Sequence, residues 1–98
     1  MIVGGDYRDP ETVGANAALT ADAGRTWTLL GKRLPYCSAV AWAKDRWIAV
    51  GPSGSFSSAD DGKTWNPLDR EASNSVACTA QGDGWVVGPK GRIAKLAK

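Results

Sequence analysis

The sequence predicts an all-β chain: ten short strands forming about two and a half four-stranded antiparallel blades of a β-propeller. Three observations carry that expectation. An octapeptide recurs, Thr20-Ala21-Asp22-Ala23-Gly24-Arg25-Thr26-Trp27 returning 38 positions later as Ser58-Ala59-Asp60-Asp61-Gly62-Lys63-Thr64-Trp65. A second phrase, Val50-Gly51-Pro52-Ser53-Gly54, returns as Val87-Gly88-Pro89-Lys90-Gly91, and Val3-Gly4 opens the chain in the same register. Between these landmarks, β-branched and aromatic runs alternate with turn residues about every ten positions, the spacing of strands joined by hairpins. Each octapeptide match has a chance probability of about one in 10⁵ per starting point at ordinary residue frequencies, so the echo marks a structural repeat.

The first unit, residues 1–31, supplies strands at 2–5, 17–21 and 26–30, the second, third and fourth of a blade. Gly4 and Thr20 are 16 residues apart where Gly51 and Ser58 are 7, so this unit carries a nine-residue insertion within 6–16. The insertion is rich in Asp, Pro, Thr, Gly and Asn, which makes it a loop. The middle unit, residues 36–69, is complete, with strands at 38–44, 47–51, 55–59 and 63–68 and a first turn at Lys44-Asp45-Arg46. The third unit, residues 74–98, supplies strands at 75–79, 84–87 and 92–96, the first three of a blade. Alanine-containing stretches at 16–19 and 39–43 are too short and too tightly bounded by turn signals to form helices.

The octapeptide reads as a hairpin fastener. Asp22 and Asp60 precede a Gly-containing turn, where a carboxylate accepts backbone N–H bonds from the next residues and holds the loop shut. Gly24 and Gly62 supply positive φ without a Cβ clash. Thr26 and Thr64 enter the last strand with hydroxyls able to bond back to the turn, and Trp27 and Trp65 bring large apolar surfaces between layers. Thr20 and Ser58 complete the motif. Nothing in this arrangement performs a reaction.

The pattern Ser/Thr-x-Asp-x-Gly-x-Thr-Trp resembles the Asp-box, or BNR, repeat of sialidase-like propellers, and both copies match it in full. The wider chain opens with Val3-Gly4-Gly5-Asp6-Tyr7-Arg8 and continues through Trp47-Ile48-Ala49-Val50-Gly51 to residues 84–94. It is similar to the C-terminal part of bacterial BNR-repeat proteins of the Ycf48-like, photosystem II assembly factor-like group. In such families the Asp-box lies on outer hairpins, away from the face that binds ligands. The resemblance therefore implies a fold more than an activity, and a non-catalytic assembly or protein-interaction scaffold.

Composition removes several chemistries. Without a single histidine the chain holds no Ser-His-Asp or Cys-His catalysis and no imidazole-liganded metal. Two cysteines and two glutamates, Glu11 and Glu71, leave too few ligands for a structural zinc, and no cofactor is expected. Apolar runs of four or five residues are far short of the ~20 that span a membrane, and no export signal opens the chain, so it reads as soluble. A formal charge of +2 is too weak a bias to argue for nucleic acid, which is not an expected partner. The acid-free C-terminal stretch with Lys90, Arg92, Lys95 and Lys98 shows no one-sided basic face, and lysines on edge strands commonly guard against unwanted pairing.

The alternative function is a carbohydrate-binding or glycosidase-related Asp-box fragment. A sialidase-like site needs an arginine cluster, a Tyr-Glu nucleophile pair and an acid, and the insertion gathers Tyr7, Arg8, Asp9 and Glu11. These four form the candidate ligand loop; a solvated connection is the plainer account. The five tryptophans could stack on sugars, but packing between blades explains most of them, Trp42 least.

Two and a half blades leave strand edges and apolar sheet faces uncovered. The expected partner is the chain itself, as a head-to-tail homo-oligomer with the dimer favoured, or else a longer parent chain. Aligning Cys78 with Ala41 places the two sulfurs about 13 Å apart at strand rise, beyond disulfide reach, so Cys37 and Cys78 are expected to be free thiols.

Overall fold

The computed structural model describes residues 1–31 and 33–96; Lys98, counted above among the C-terminal cations, lies outside them. Ten strands form in the expected order: β1 (Ile2–Val3), β2 (Ala17–Leu19), β3 (Thr28–Leu30), β4 (Ala39–Trp42), β5 (Trp47–Gly51), β6 (Gly54–Ser58), β7 (Asn66–Asp69), β8 (Ser75–Cys78), β9 (Gly84–Gly88) and β10 (Arg92–Leu96). They build three antiparallel sheets in chain order, β1-β2-β3, β4-β5-β6-β7 and β8-β9-β10. The described residues contain no α-helix, only a 3₁₀ turn at Pro89–Gly91. Strands β3 and β7 start later than expected because Thr26 and Thr64 spend their N–H groups on Asp22 and Asp60 rather than on a ladder.

Alternation along the strands decides which sheet meets which. On the first sheet Val3, Ala17 and Leu30 share a face. That face packs on Val40, Ala49, Phe56 and Trp65 of the second sheet, around the buried Leu34 and Cys37. The opposite face of the second sheet, with Ala39, Ile48 and Val50, meets Val76, Val86, Ala94 and Leu96 of the third. Because the middle sheet is covered on both sides, Ile48, Ala49 and Val50 are all fully buried. That double burial is why Trp47-Ile48-Ala49-Val50 reads as an unbroken apolar run instead of an alternating one.

Backbone groups reinforce both sheet contacts. The Cys37 N–H donates to the Gly4 carbonyl at 3.1 Å, and the Ser73 N–H donates to the Gly51 carbonyl at 3.1 Å. Cys37 and Ser73 are thus equivalent residues, each buried at the entry to the first strand of its sheet.

Two expectations about register change. Val40 pairs with Ala49 and Val76 with Val86, so Cys78 is the counterpart of Trp42, not Ala41. The reason is the first hairpin of the third sheet, which spans residues 79–83 where that of the second spans 43–46, one residue fewer. Both thiols are free, and they sit in different clusters: Cys37 between the first and second sheets, Cys78 between the second and third. The Val-Gly-Pro-x-Gly echo also hides a difference of one. Gly51 pairs directly with Gly54, whereas Gly88 pairs with Arg92 and leaves Gly91 inside a three-residue loop.

Nor do the tryptophans all act as core. Trp65 is partly buried against the cluster between the first two sheets. Its counterpart Trp27 is half exposed, because none of the described sheets covers that side of the first. Trp42, at the end of β4, is also half exposed. It rests edge-on against Trp47, ring centroids 5.1 Å apart. Trp85 points off the outer face of the third sheet. None of the described helices is long and apolar enough to cross a membrane.

Candidate functional site

The two octapeptides close their turns with nearly identical bonds. In the first, Oδ1 of Asp22 accepts from the Thr26 N–H at 2.9 Å and the Thr20 hydroxyl at 2.7 Å, and Oδ2 accepts from the Thr26 hydroxyl at 2.6 Å. In the second, Asp60 accepts from Thr64 N–H at 2.9 Å, Ser58 Oγ at 2.8 Å and Thr64 Oγ1 at 2.6 Å. Hydrogen bonds of this kind favour the ionised carboxylate. The Thr26 and Thr64 hydroxyls, then their N–H groups, hold Asp22 and Asp60 down at about 2 each.

Two parts of this device go beyond the motif's spacing. The Thr20 and Ser58 oxygens accept the N–H of Gly24 and Gly62 at 3.0 and 2.8 Å, so the first residue of the motif bridges carboxylate and turn. A hydroxyl residue at that position in both copies was the available signal. In addition, the left-handed backbone is shared by two residues per turn: Ala23 (φ 60°) with Gly24 (φ 89°), and Asp61 (φ 58°) with Gly62 (φ 87°). Asp61 also accepts the Trp47 indole N–H at 3.3 Å, tying the turn to β5.

The insertion does not assemble Tyr7, Arg8, Asp9 and Glu11 into one group. Arg8 turns back on Asp6 at 3.1 Å, and its guanidinium and N–H hold that carboxyl below the ordinary range. Asp9 accepts the Thr12 hydroxyl at 2.7 Å, and Tyr7 stands in solvent. The rest of the loop is strapped to the scaffold. Gly14 N–H and Asn16 Nδ2 both donate to the Leu34 carbonyl, and the Pro10 carbonyl accepts from Tyr36 N–H and Ser53 Oγ.

Of the four, Glu11 reaches a cleft. It lines a concavity of about 540 Å³ against the second sheet, together with Arg33, Arg70, Phe56 and Trp65. The Trp65 Nε1 is buried there without a hydrogen-bond partner. This cleft holds two guanidiniums, one carboxylate and two aromatic side chains, a set suited to binding an anion with an apolar body rather than to proton transfer.

The C-terminal cations serve the third sheet. Arg92 donates to the Ala72 carbonyl at 3.3 Å and to Ser73 Oγ at 2.9 Å. Lys95 lies 3.7 Å from Asp83 and over the Trp85 ring at 5.5 Å, and Lys90 sits in the turn with φ 61°. Among the described residues, no three of the Cys, Asp and Glu side chains converge as a metal site. No protein-family model, no curated protein and no solved structure matches this chain.

Proposed function

We propose that the chain is a segment of an Asp-box propeller of the Ycf48-like type it resembles, with each sheet a blade or part of one, working as a non-catalytic assembly or protein-interaction scaffold. The observation that carries this reading is the use of Asp22 and Asp60. Each carboxylate is occupied by three short bonds within its own turn, so both act as fasteners. The stack of sheets with apolar faces left open at each end supports the scaffold part. A hydrolase screen over glycosides and esters tests it: the expected result is no turnover. Turnover by the folded chain that disappears with Glu11→Gln or Arg70→Ala would overturn it.

The cleft favours a second reading, the binding of a sugar acid. There the Arg33 and Arg70 guanidiniums would take the carboxylate and Trp65 or Phe56 the ring. Titration with an acidic and a neutral monosaccharide separates this from the scaffold. Saturable binding of the acidic sugar alone, lost in Arg70→Ala and kept in Tyr7→Ala, would establish it.

A further inference from the structure

Strand pairing aligns the three sheets residue by residue. Val3, Val50 and Val87 occupy one position of the repeat, and Ile2, Ala49 and Val86 the position before it. Successive residues of a strand point to opposite faces, so these two positions report the two sides of every sheet. The Val3 side of the first sheet lies on the second, and the Val50 side of the second lies on the third. Among the described residues, nothing covers the Val87 side of the third. In the other direction, Ala49 is covered by the first sheet and Val86 by the second, whereas Ile2 is exposed. The two uncovered faces are therefore the two halves of a contact that the chain already makes twice within itself.

Their chemistry matches that role. On the third sheet Val87 pairs with Ile93 and Trp85 with Lys95, giving an apolar face whose cation is already held by Asp83 and the indole. On the first sheet Ile2, Ala18 and Leu29 form one cross-strand row. Beside that row runs a mostly apolar groove of about 250 Å³, floored by small residues such as Gly4, Gly5 and Ala18. Within the chain, Val3 and Leu30 cross to the second sheet over the small Ala49 in the same manner.

We propose that the Trp85, Val87 and Ile93 face of the third sheet docks, head to tail, on the Ile2, Ala18 and Leu29 face of the first sheet of a second copy of this chain. This deepens the scaffold reading and rests on its treatment of the sheets as successive blades. The face of the third sheet, three strands of four or five residues, measures at most about 15 by 17 Å at ordinary strand spacings, and the first sheet, with strands of two and three residues, offers less. That is well below the ~800 Å² per partner of a stable complex, so one such contact is weak. Two contacts made at once, closing two chains into a ring of six sheets, double the area and make the second contact intramolecular. The closed pair is the expected species.

Sedimentation over a wide concentration range tests this on the whole chain. The expected mass rises from 10.3 kDa to twice that value. Leu29 and Ile93 are 70% and 72% exposed, so charging either disturbs the monomer little. Leu29→Glu and Ile93→Glu should each raise the midpoint of association by about tenfold or more, while Tyr7→Ala, off both faces, leaves it unchanged. Circular dichroism verifies that each variant folds. Should one fail, the wild-type tryptophan emission supplies the readout: it should shift to the blue on association, by less in Trp85→Phe. A folded monomer at every concentration overturns the docking, as does association sensitive to only one of the two faces, which marks a self-matching contact. A monomer would leave the blade reading and its turnover screen standing.

Discussion

Removing one hydroxyl from each copy of the octapeptide should have unequal consequences, because the copies are alike in bonding and unlike in burial. The Ser58 Oγ is buried, donates to Asp60 at 2.8 Å and accepts the buried Gly62 N–H at 2.8 Å. Ser58→Ala leaves that N–H without a partner and out of reach of water, a penalty of about 1–3 kcal/mol. Thr20 makes the same two bonds at 2.7 and 3.0 Å, but its turn is exposed, so water replaces the hydroxyl in Thr20→Ala. That substitution should cost about 0.5 kcal/mol, the low end of a net hydrogen bond. For a domain near this size about 1 kcal/mol moves Tm by 4–8 °C, so a 2 kcal/mol loss in Ser58→Ala corresponds to about 8–16 °C and Thr20→Ala to about 2–4 °C. Thermal melts at one matched protein concentration measure both. Equal shifts, or a larger one for Thr20→Ala, would refute the claim that burial of the acceptor sets the worth of the turn.

Other outcomes follow from the same geometry. Asp22 and Asp60 titrate lower in the folded chain than in the unfolded one, where more protons are bound between about pH 4 and pH 2. Their stabilisation is therefore complete above that window and lost as pH falls through it, and Asp60→Asn should flatten the acid limb of a urea-midpoint profile. Ala23 holds φ 60° with an ordinary side chain, so Ala23→Gly should raise stability by about 1 kcal/mol in urea unfolding. A Cβ on Gly51 or Gly88 would lie 2.5 Å from the Tyr36 or Ala72 carbonyl oxygen, whereas one on the equivalent Gly4 meets nothing within 4 Å. Alanine should accordingly cost about 1–3 kcal/mol at the first two positions and almost nothing at the third, by the same urea assay. Burial pushes the Cys37 thiol up to about 12, and burial also raises Cys78, though the Arg46 charge opposes it there. In a native thiol titration Cys78 should react first and Cys37 only as fast as the chain opens, a rate that denaturant would accelerate.

Strand number, order and partition into three, four and three were legible because their determinants are local. A Gly, an Asp and a Trp at fixed offsets specify a turn and the strand that follows it, whatever lies elsewhere in the chain. What the sequence concealed depends on length differences of one and on distant partners. The hairpin at residues 79–83 is one residue longer than its counterpart at 43–46, which moved Cys78 from the expected equivalence with Ala41 to that with Trp42. Trp27 and Trp65 are identical in motif and differ in exposure, since among the described sheets only the second has one in front of it. The candidate loop shows the same limit. Tyr7, Arg8, Asp9 and Glu11 are neighbours in sequence, yet local bonds to Asp6 and Thr12 claim Arg8 and Asp9. The cleft that Glu11 enters is completed by Arg33 and Arg70, which no spacing rule connects to it.

The part of the insertion that carries Tyr7 is anchored at both feet, by the Gly4 N–H on the Asn16 carbonyl at one side and by the Pro10 carbonyl on Tyr36 N–H and Ser53 Oγ at the other. Tension or disorder introduced at its apex near Tyr7 is thereby isolated from the interior. That apex is a natural port for grafting a peptide epitope or a fluorophore, and a stretch where sequence can drift quickly while the lattice of strands beneath it stays fixed.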